Sequence, residues 1–273
     1  MGELIGVYKV KALRFLVMRV SGAGIFAIGA LIVWALSALN YSGSITALAA
    51  FALFLLALGA FFIYSSFVLK PKYYFEAYEN GVVVKRKSGD VSLMFSEIED
   101  VLPYVTASRE NLEFRINNVA FRKDAQNEWF VITFQYENGA ALIDGFLELH
   151  AEHRGSKQVE EIEKAGFTSI KYVEKSALTK EAFSPKALID SHGEYLKKYE
   201  NYKTLYLAAD HIKIENQTVY FDQSDRMEIK GLTSDTIYII DQNGKEKFSI
   251  PYLAVFSPDI FIAILSTKVE FKR

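Results

Sequence analysis

Two long apolar runs open the pattern of hydrophobic and polar positions, one from about Gly22 to Leu39 and one from Ile45 to Leu69, and neither holds a charged side chain. A bilayer's hydrocarbon core is crossed by roughly 20 apolar helical residues. Only Asn40, Tyr41, Ser42, Gly43 and Ser44 join the runs, enough for a tight turn. The pattern predicts a transmembrane helical hairpin over 21–70. The competing reading, a cleaved secretory signal, lacks a clear small-residue cleavage site and meets a second span at once. Small residues recur along both runs, Gly22, Gly24 and Gly29 in the first and Ala52, Ala57 and Gly59 in the second. Such residues let helices approach closely in lipid. They serve packing within the hairpin or a homo-oligomer. No ionisable group lies inside either run, so a proton or ion path has no support.

Ahead of the hairpin, residues 5–19 mix Ile5, Val7, Val10, Leu13, Phe15, Leu16 and Val17 with Lys and Arg. This stretch, taken as a lead-in over 1–20, reads either as an amphipathic segment at the cytoplasmic interface or as the frayed entry of the first helix.

From Tyr73 the period changes to two. Strands are predicted over Tyr73–Tyr78, Val82–Lys87 and Val91–Phe95, with Asn80-Gly81 and Ser88-Gly89-Asp90 as turns. A fourth short element covers Ser96–Val101. Residues 104–116 read as a loop. Strands resume at Asn117–Arg122, Glu128–Tyr136 and Ala140–Glu148, with Asn138-Gly139 as the turn between the last two. A helix then starts at Ser156 as N-cap, carries Lys164 in its last turn and ends at Gly166. The order recurs: a strand over Thr168–Val173, a helical insert opened by Ser184-Pro185 and running near 185–199, and strands over Thr204–Ala209, His211–Glu215, Thr218–Asp222, Met227–Lys230, Thr236–Asp241 and Lys247–Ile250. A final helix opens at Ser257-Pro258. The fold class is a membrane α-helical hairpin followed by a mainly β (α+β) soluble region with two copies of one plan, 73–167 and 168–273.

The stretch YYFEAYENGVVVKRKSGDVSLMFSEIEDV, Tyr73 to Val101, resembles the opening of bacterial pleckstrin-homology-like (PH-like) domains. The stretch MEIKGLTSDTIYIIDQNGKEKFSIPYLAVFSPDIFIAILS, Met227 to Ser266, resembles the end of one. A membrane hairpin followed by two such units is similar to a family of membrane-anchored bacterial proteins of uncharacterised function. The resemblance covers about two-thirds of the chain and implies two bent β-barrels, each closed by a C-terminal helix. It implies no activity, because function lives in sites and not in the fold.

Charge sharpens the picture. Residues 1–72 carry Lys9, Lys11, Arg14, Arg19, Lys70 and Lys72 against the single acid Glu3, a net of +5; the whole chain is −2, which leaves −7 on residues 73–273. Basic residues flank the spans and the short turn has none, so both termini are expected on the cytoplasmic side of a plasma (inner) membrane. An acidic body does not favour nucleic acid. There is no cysteine, which removes disulfides and thiolate sites.

No catalytic signature and no cofactor motif is present, and no metal site is assigned. Glu148, His150, Glu152 and His153 form the one dense set of ligand-type residues. On a strand His150 and His153 face apart, whereas on a helix they converge, and the spacing is not HExxH. A metal-dependent enzyme is the weakest reading. Lys85, Arg86 and Lys87 are the candidate contact to a lipid headgroup, placed as the resemblance implies for the first hairpin of phosphoinositide-binding relatives. The leading expectation is a non-enzymatic interaction module, anchored to the bilayer through the hairpin, that recruits or regulates a protein partner. Only Lys70, Pro71 and Lys72 separate the second span from the first strand, so the first domain is expected near the membrane surface.

Overall fold

The computed structural model describes residues 1–38, 45–104, 116–174, 196–230 and 235–272. The expected turn at 40–44, nearly all of the loop at 104–116 and most of the insert near 185–199 lie outside them. Two compact units are present, one over Val10–Lys72 and one built from the flanking chain.

The first unit is a pair of helices, α1 (Ala12–Ala38) and α2 (Ile45–Val68). Both are long and apolar enough to span a membrane, and only 11% of either apolar window is buried inside the protein. Trp34, Leu31, Leu53 and Phe54 are all more than half exposed. The core helix of a soluble protein would cover such side chains. The helices touch through small residues. A Cβ on Gly59 would lie 2.7 Å from the Gly22 carbonyl oxygen, and one on Gly29 would lie 3.1 Å from that of Ala52. Gly22, Gly29, Ala52 and Gly59 thus lie at the contact within the hairpin. Near one end Arg19 donates to the Ser66 hydroxyl at 3.1 Å, and its guanidinium lies 3.9 Å from the Phe67 ring centre.

The second unit repeats one plan. A four-stranded meander comprises β1 (Leu4–Tyr8), β2 (Tyr73–Tyr78), β3 (Gly81–Arg86) and β4 (Val91–Met94). A three-stranded meander follows, of β5 (Asp100–Tyr104), β6 (Asn118–Arg122) and β7 (Phe130–Thr133), and then helix α3 (Gly139–Ala165). The second repeat has four strands, β8 (Phe167–Tyr172), β9 (Lys203–Ala208), β10 (His211–Ile214) and β11 (Gln217–Tyr220). Three more are β12 (Arg226–Lys230), β13 (Thr236–Ile240) and β14 (Glu246–Pro251), followed by helix α4 (Pro258–Ser266). A last strand, β15 (Glu270–Lys272), adds to β12 in parallel. All four sheets are open; among the described residues there is no closed barrel, contrary to the expected bent barrels.

The lead-in differs from its expected form. Residues 4–8 are not interfacial helix. They pair antiparallel with β2, placing Val7 opposite Glu76 and Tyr8 opposite Phe75. The helical hairpin thus interrupts the first repeat between its first and second strands. An unpaired β2 edge would leave a row of amide and carbonyl groups without partners, and β1 supplies them. From Ala12 onward the chain belongs to α1.

Ala140–Glu148 is helix and not strand. Leu142, Ile143, Phe146, His150 and Ile162 recur at helical spacing and bury one face of α3. The expected hairpin turn at Asn138-Gly139 is the start of this helix, with Asn138 left-handed at φ 51°. Ser156 lies inside the helix. Its end does match expectation: Lys164 is in the last turn and Gly166 caps it at φ 86°. The fourth element is displaced too, with a short 3-10 turn over Phe95–Glu97 preceding β5.

The core of the first repeat is aromatic: Phe75 lies 5.1 Å from Tyr136, and Phe146 lies 4.6 Å from Phe121 and 5.5 Å from Phe95, between ring centres. Tyr73 ties its two sheets together, accepting the Val131 N–H at 2.8 Å, and burial pushes its hydroxyl up to about 12. One buried cluster runs from Leu102, Tyr104 and Ala120 of the first repeat into Leu205, Leu207, Ile237, Phe256 and Phe261 of the second. The repeats therefore share a core.

Candidate functional site

The basic triplet sits where β3 turns into β4. Lys85 bonds Asp90 at 2.8 Å and approaches Glu76 at 3.4 Å. The Asp90 hydrogen bond is the largest cause that pushes the Lys85 ammonium up to about 12. Arg86 pairs with Glu128 and donates to the Gly89 carbonyl at 3.1 Å. Only Lys87, exposed at the tip of the turn, has no such carboxylate partner among the described residues. A headgroup phosphate would compete with carboxylates already in place, and exposed pairs of this kind add little to stability.

The histidine and glutamate set lies on α3, so the helical alternative holds. The side chains nonetheless diverge in role. His150 is buried and its Nε2 lies 3.0 Å from the Ile98 carbonyl oxygen, with its ring stacked on Phe146. Burial, assisted by the Arg154 charge, pulls the imidazole down to about 4. It is neutral near pH 7 and donates from Nε2. His153 lies 3.1 Å from the Glu79 carbonyl oxygen and stacks on Phe95. Glu148 and Glu152 are exposed. Both rings lock α3 onto the first sheet and the 3-10 turn. Among the described residues no three of His, Asp or Glu come together to hold a metal.

Sequence reasoning missed the most buried charge cluster. Asp100 is wholly buried at the start of β5. Arg122 of β6 donates to one carboxylate oxygen at 2.6 Å, and Lys171 of β8 donates to the other at 2.7 Å. The Arg122 guanidinium lies 4.2 Å from the Trp129 ring centre, and Lys171 lies 5.1 Å from that of Tyr202. One carboxylate thus joins cations from both repeats, stacked on aromatic faces. The signal was weak, since Asp100 read only as part of the short element over Ser96–Val101 and its partners lie far along the chain. The cluster fixes one repeat against the other.

These features define a class: an α+β protein of two repeated β-meander-and-helix units, with an apolar helical hairpin set between neighbouring strands of the first. No protein-family model and no curated protein matches the chain.

Proposed function

We propose that this chain is a non-enzymatic, membrane-anchored interaction module with two PH-like units, which recruits or regulates a protein partner at the inner membrane surface. The carrying observation is the pairing of β1 with β2. The two strands flanking the hairpin are neighbours in one sheet, so a chain that leaves the sheet at Tyr8 and returns at Tyr73 must cross the bilayer an even number of times. The basic flanks Lys9, Lys11, Lys70 and Lys72 then favour the cytoplasm for both ends. An anchor spliced into a strand connection holds the folded unit at the surface, which raises its effective concentration for anything else there. The four sheets are open, and edge strands add partner strands.

The test is in-cell photo-crosslinking from one position on each of four edges: Leu4 in β1, Ser92 in β4, Tyr220 in β11 and Ser249 in β14. A discrete protein adduct from at least one edge is the expected result. Lipid adducts alone would favour headgroup recognition, the second reading, which rests on Lys87 beside the already paired Lys85 and Arg86. Adducts from none would contradict recruitment.

A further inference from the structure

The hairpin carries a cation held in a fixed pose by its second helix. Arg19 of α1 donates from Nε to the Ser66 hydroxyl of α2 at 3.1 Å. That hydroxyl in turn donates to the Ile63 carbonyl at 2.7 Å, and Ser66 has no exposure. The guanidinium lies 3.9 Å from the Phe67 ring centre, and Phe67 is 58% exposed. One hydrogen bond and one ring face thus fix the guanidinium plane on the outer surface of the helix pair. Its two terminal nitrogens have no hydrogen bond and no carboxylate partner among the described residues.

Depth and charge say what fits there. The nineteen residues from Val20 to Ala38 hold no charge. As helix they rise about 28 Å, close to the roughly 30 Å of a bilayer's hydrocarbon core. In a hairpin that spans a bilayer, Arg19 therefore sits at the edge of that core, where the phospholipid phosphates begin. A guanidinium presents paired N–H groups in a planar fork that matches two phosphate oxygens. Lys70 and Lys72 follow α2 at the same end and add positive charge. No acid lies between Glu3 and Glu76, so the ammonium of a zwitterionic headgroup would meet cations from this stretch and no carboxylate.

We propose that Arg19 binds the phosphodiester of an anionic phospholipid at the bilayer surface from which the hairpin enters. Arg19 is the binding residue, and Ser66 and Phe67 are positioning residues. The site is separate from Lys85, Arg86 and Lys87. It rests on the hairpin spanning a bilayer and is independent of any protein partner.

The test is native mass spectrometry of the full chain in detergent micelles, titrated with phosphatidylglycerol or with phosphatidylcholine. Wild type should retain phosphatidylglycerol more tightly than phosphatidylcholine. Arg19→Gln should weaken that retention about tenfold, the loss of one charge-assisted contact. Arg19→Lys keeps the charge without the fork, and Ser66→Ala keeps the fork without its anchor; each should weaken retention as well. Lys11→Gln, which removes an exposed cation outside this geometry, should leave it unchanged. Equal retention of the two lipids, wild-type retention in Arg19→Gln, or an equal loss in Lys11→Gln would each overturn the proposal. Displacement of the lipid by excess inorganic phosphate would overturn it too. If Glu3→Cys and Gln223→Cys label from opposite sides of the membrane, the hairpin reading itself fails. If they label from one side while Arg19→Gln retains the lipid as wild type does, only this site fails.

Discussion

The Asp100 carboxylate and the Lys171 ammonium meet at 2.7 Å across the boundary between the two repeats. Asp100 has no exposure, whereas the Lys171 side chain is 22% exposed. Removing one member of a buried pair leaves the rest uncompensated, at about 3–5 kcal/mol. Asp100→Ala strands the buried Arg122 guanidinium, while Lys171 keeps Glu99 at 3.6 Å, and should show a loss in that range. Lys171→Met should cost less, because Arg122 still holds the carboxylate. Denaturant unfolding of the full chain in micelles measures both. The shared core further requires that the repeats unfold in one transition.

The pairing of β1 with β2 makes the flanking chain a single fold without the hairpin. Tyr8 and Phe75 are cross-strand partners, so a short Gly-Ser turn can replace residues 10–72. A chain joining residues 1–9 to 73–273 through such a turn should be soluble and cooperatively folded. Residues 73–273 alone expose the β2 edge and should aggregate or dimerise, as unprotected edges do. Size-exclusion chromatography separates the two outcomes.

In the hairpin, Gly59 is the tightest point. A Cβ there would lie 2.7 Å from both the Gly22 carbonyl oxygen and the Phe26 amide nitrogen. Gly59→Val should force the helices apart at a cost of roughly 1–3 kcal/mol. Gly24→Val should be tolerated, since its Cβ position is open. Disulfide trapping between cysteines introduced across the two helices reads the difference.

His150 gives the protein an acid limit. Its folded value is depressed to about 4 from 6.5, so the unfolded chain takes up the proton first. The contribution is fully present above pH 6.5 and is lost as pH falls toward 4. At 1.36 kcal/mol per unit, the loss reaches about 2 kcal/mol by pH 5. His150→Leu should be less stable at pH 7, for want of the Ile98 hydrogen bond, but its stability should fall less between pH 6.5 and 5.

Local signals were legible where one segment carried them alone. The two long apolar helices, the strands around Asn80-Gly81, the cap at Gly166 and the repeated order of strands all follow from periodicity and turn chemistry. The helix from Gly139 was misread because Asn-Gly is also the strongest hairpin signal. Tertiary burial of Leu142, Phe146 and His150 decides between the two. Strand β1 was hidden because its partner lies beyond the whole hairpin. A short run such as Leu4–Tyr8 gains strand identity only from β2. The Asp100 cluster was invisible for the same reason: Lys171 reaches it from another sheet.

The central claim is that the hairpin leaves and returns to one sheet, so its flanks share a side of the membrane. The chain has no cysteine, which makes single-cysteine labelling direct. Glu3→Cys, Ser42→Cys and Gln223→Cys would each be probed with a membrane-impermeant maleimide in intact and in permeabilised cells. The account predicts that Ser42→Cys labels in intact cells, while Glu3→Cys and Gln223→Cys label only after permeabilisation. Labelling of Glu3→Cys and Gln223→Cys from opposite sides would contradict it.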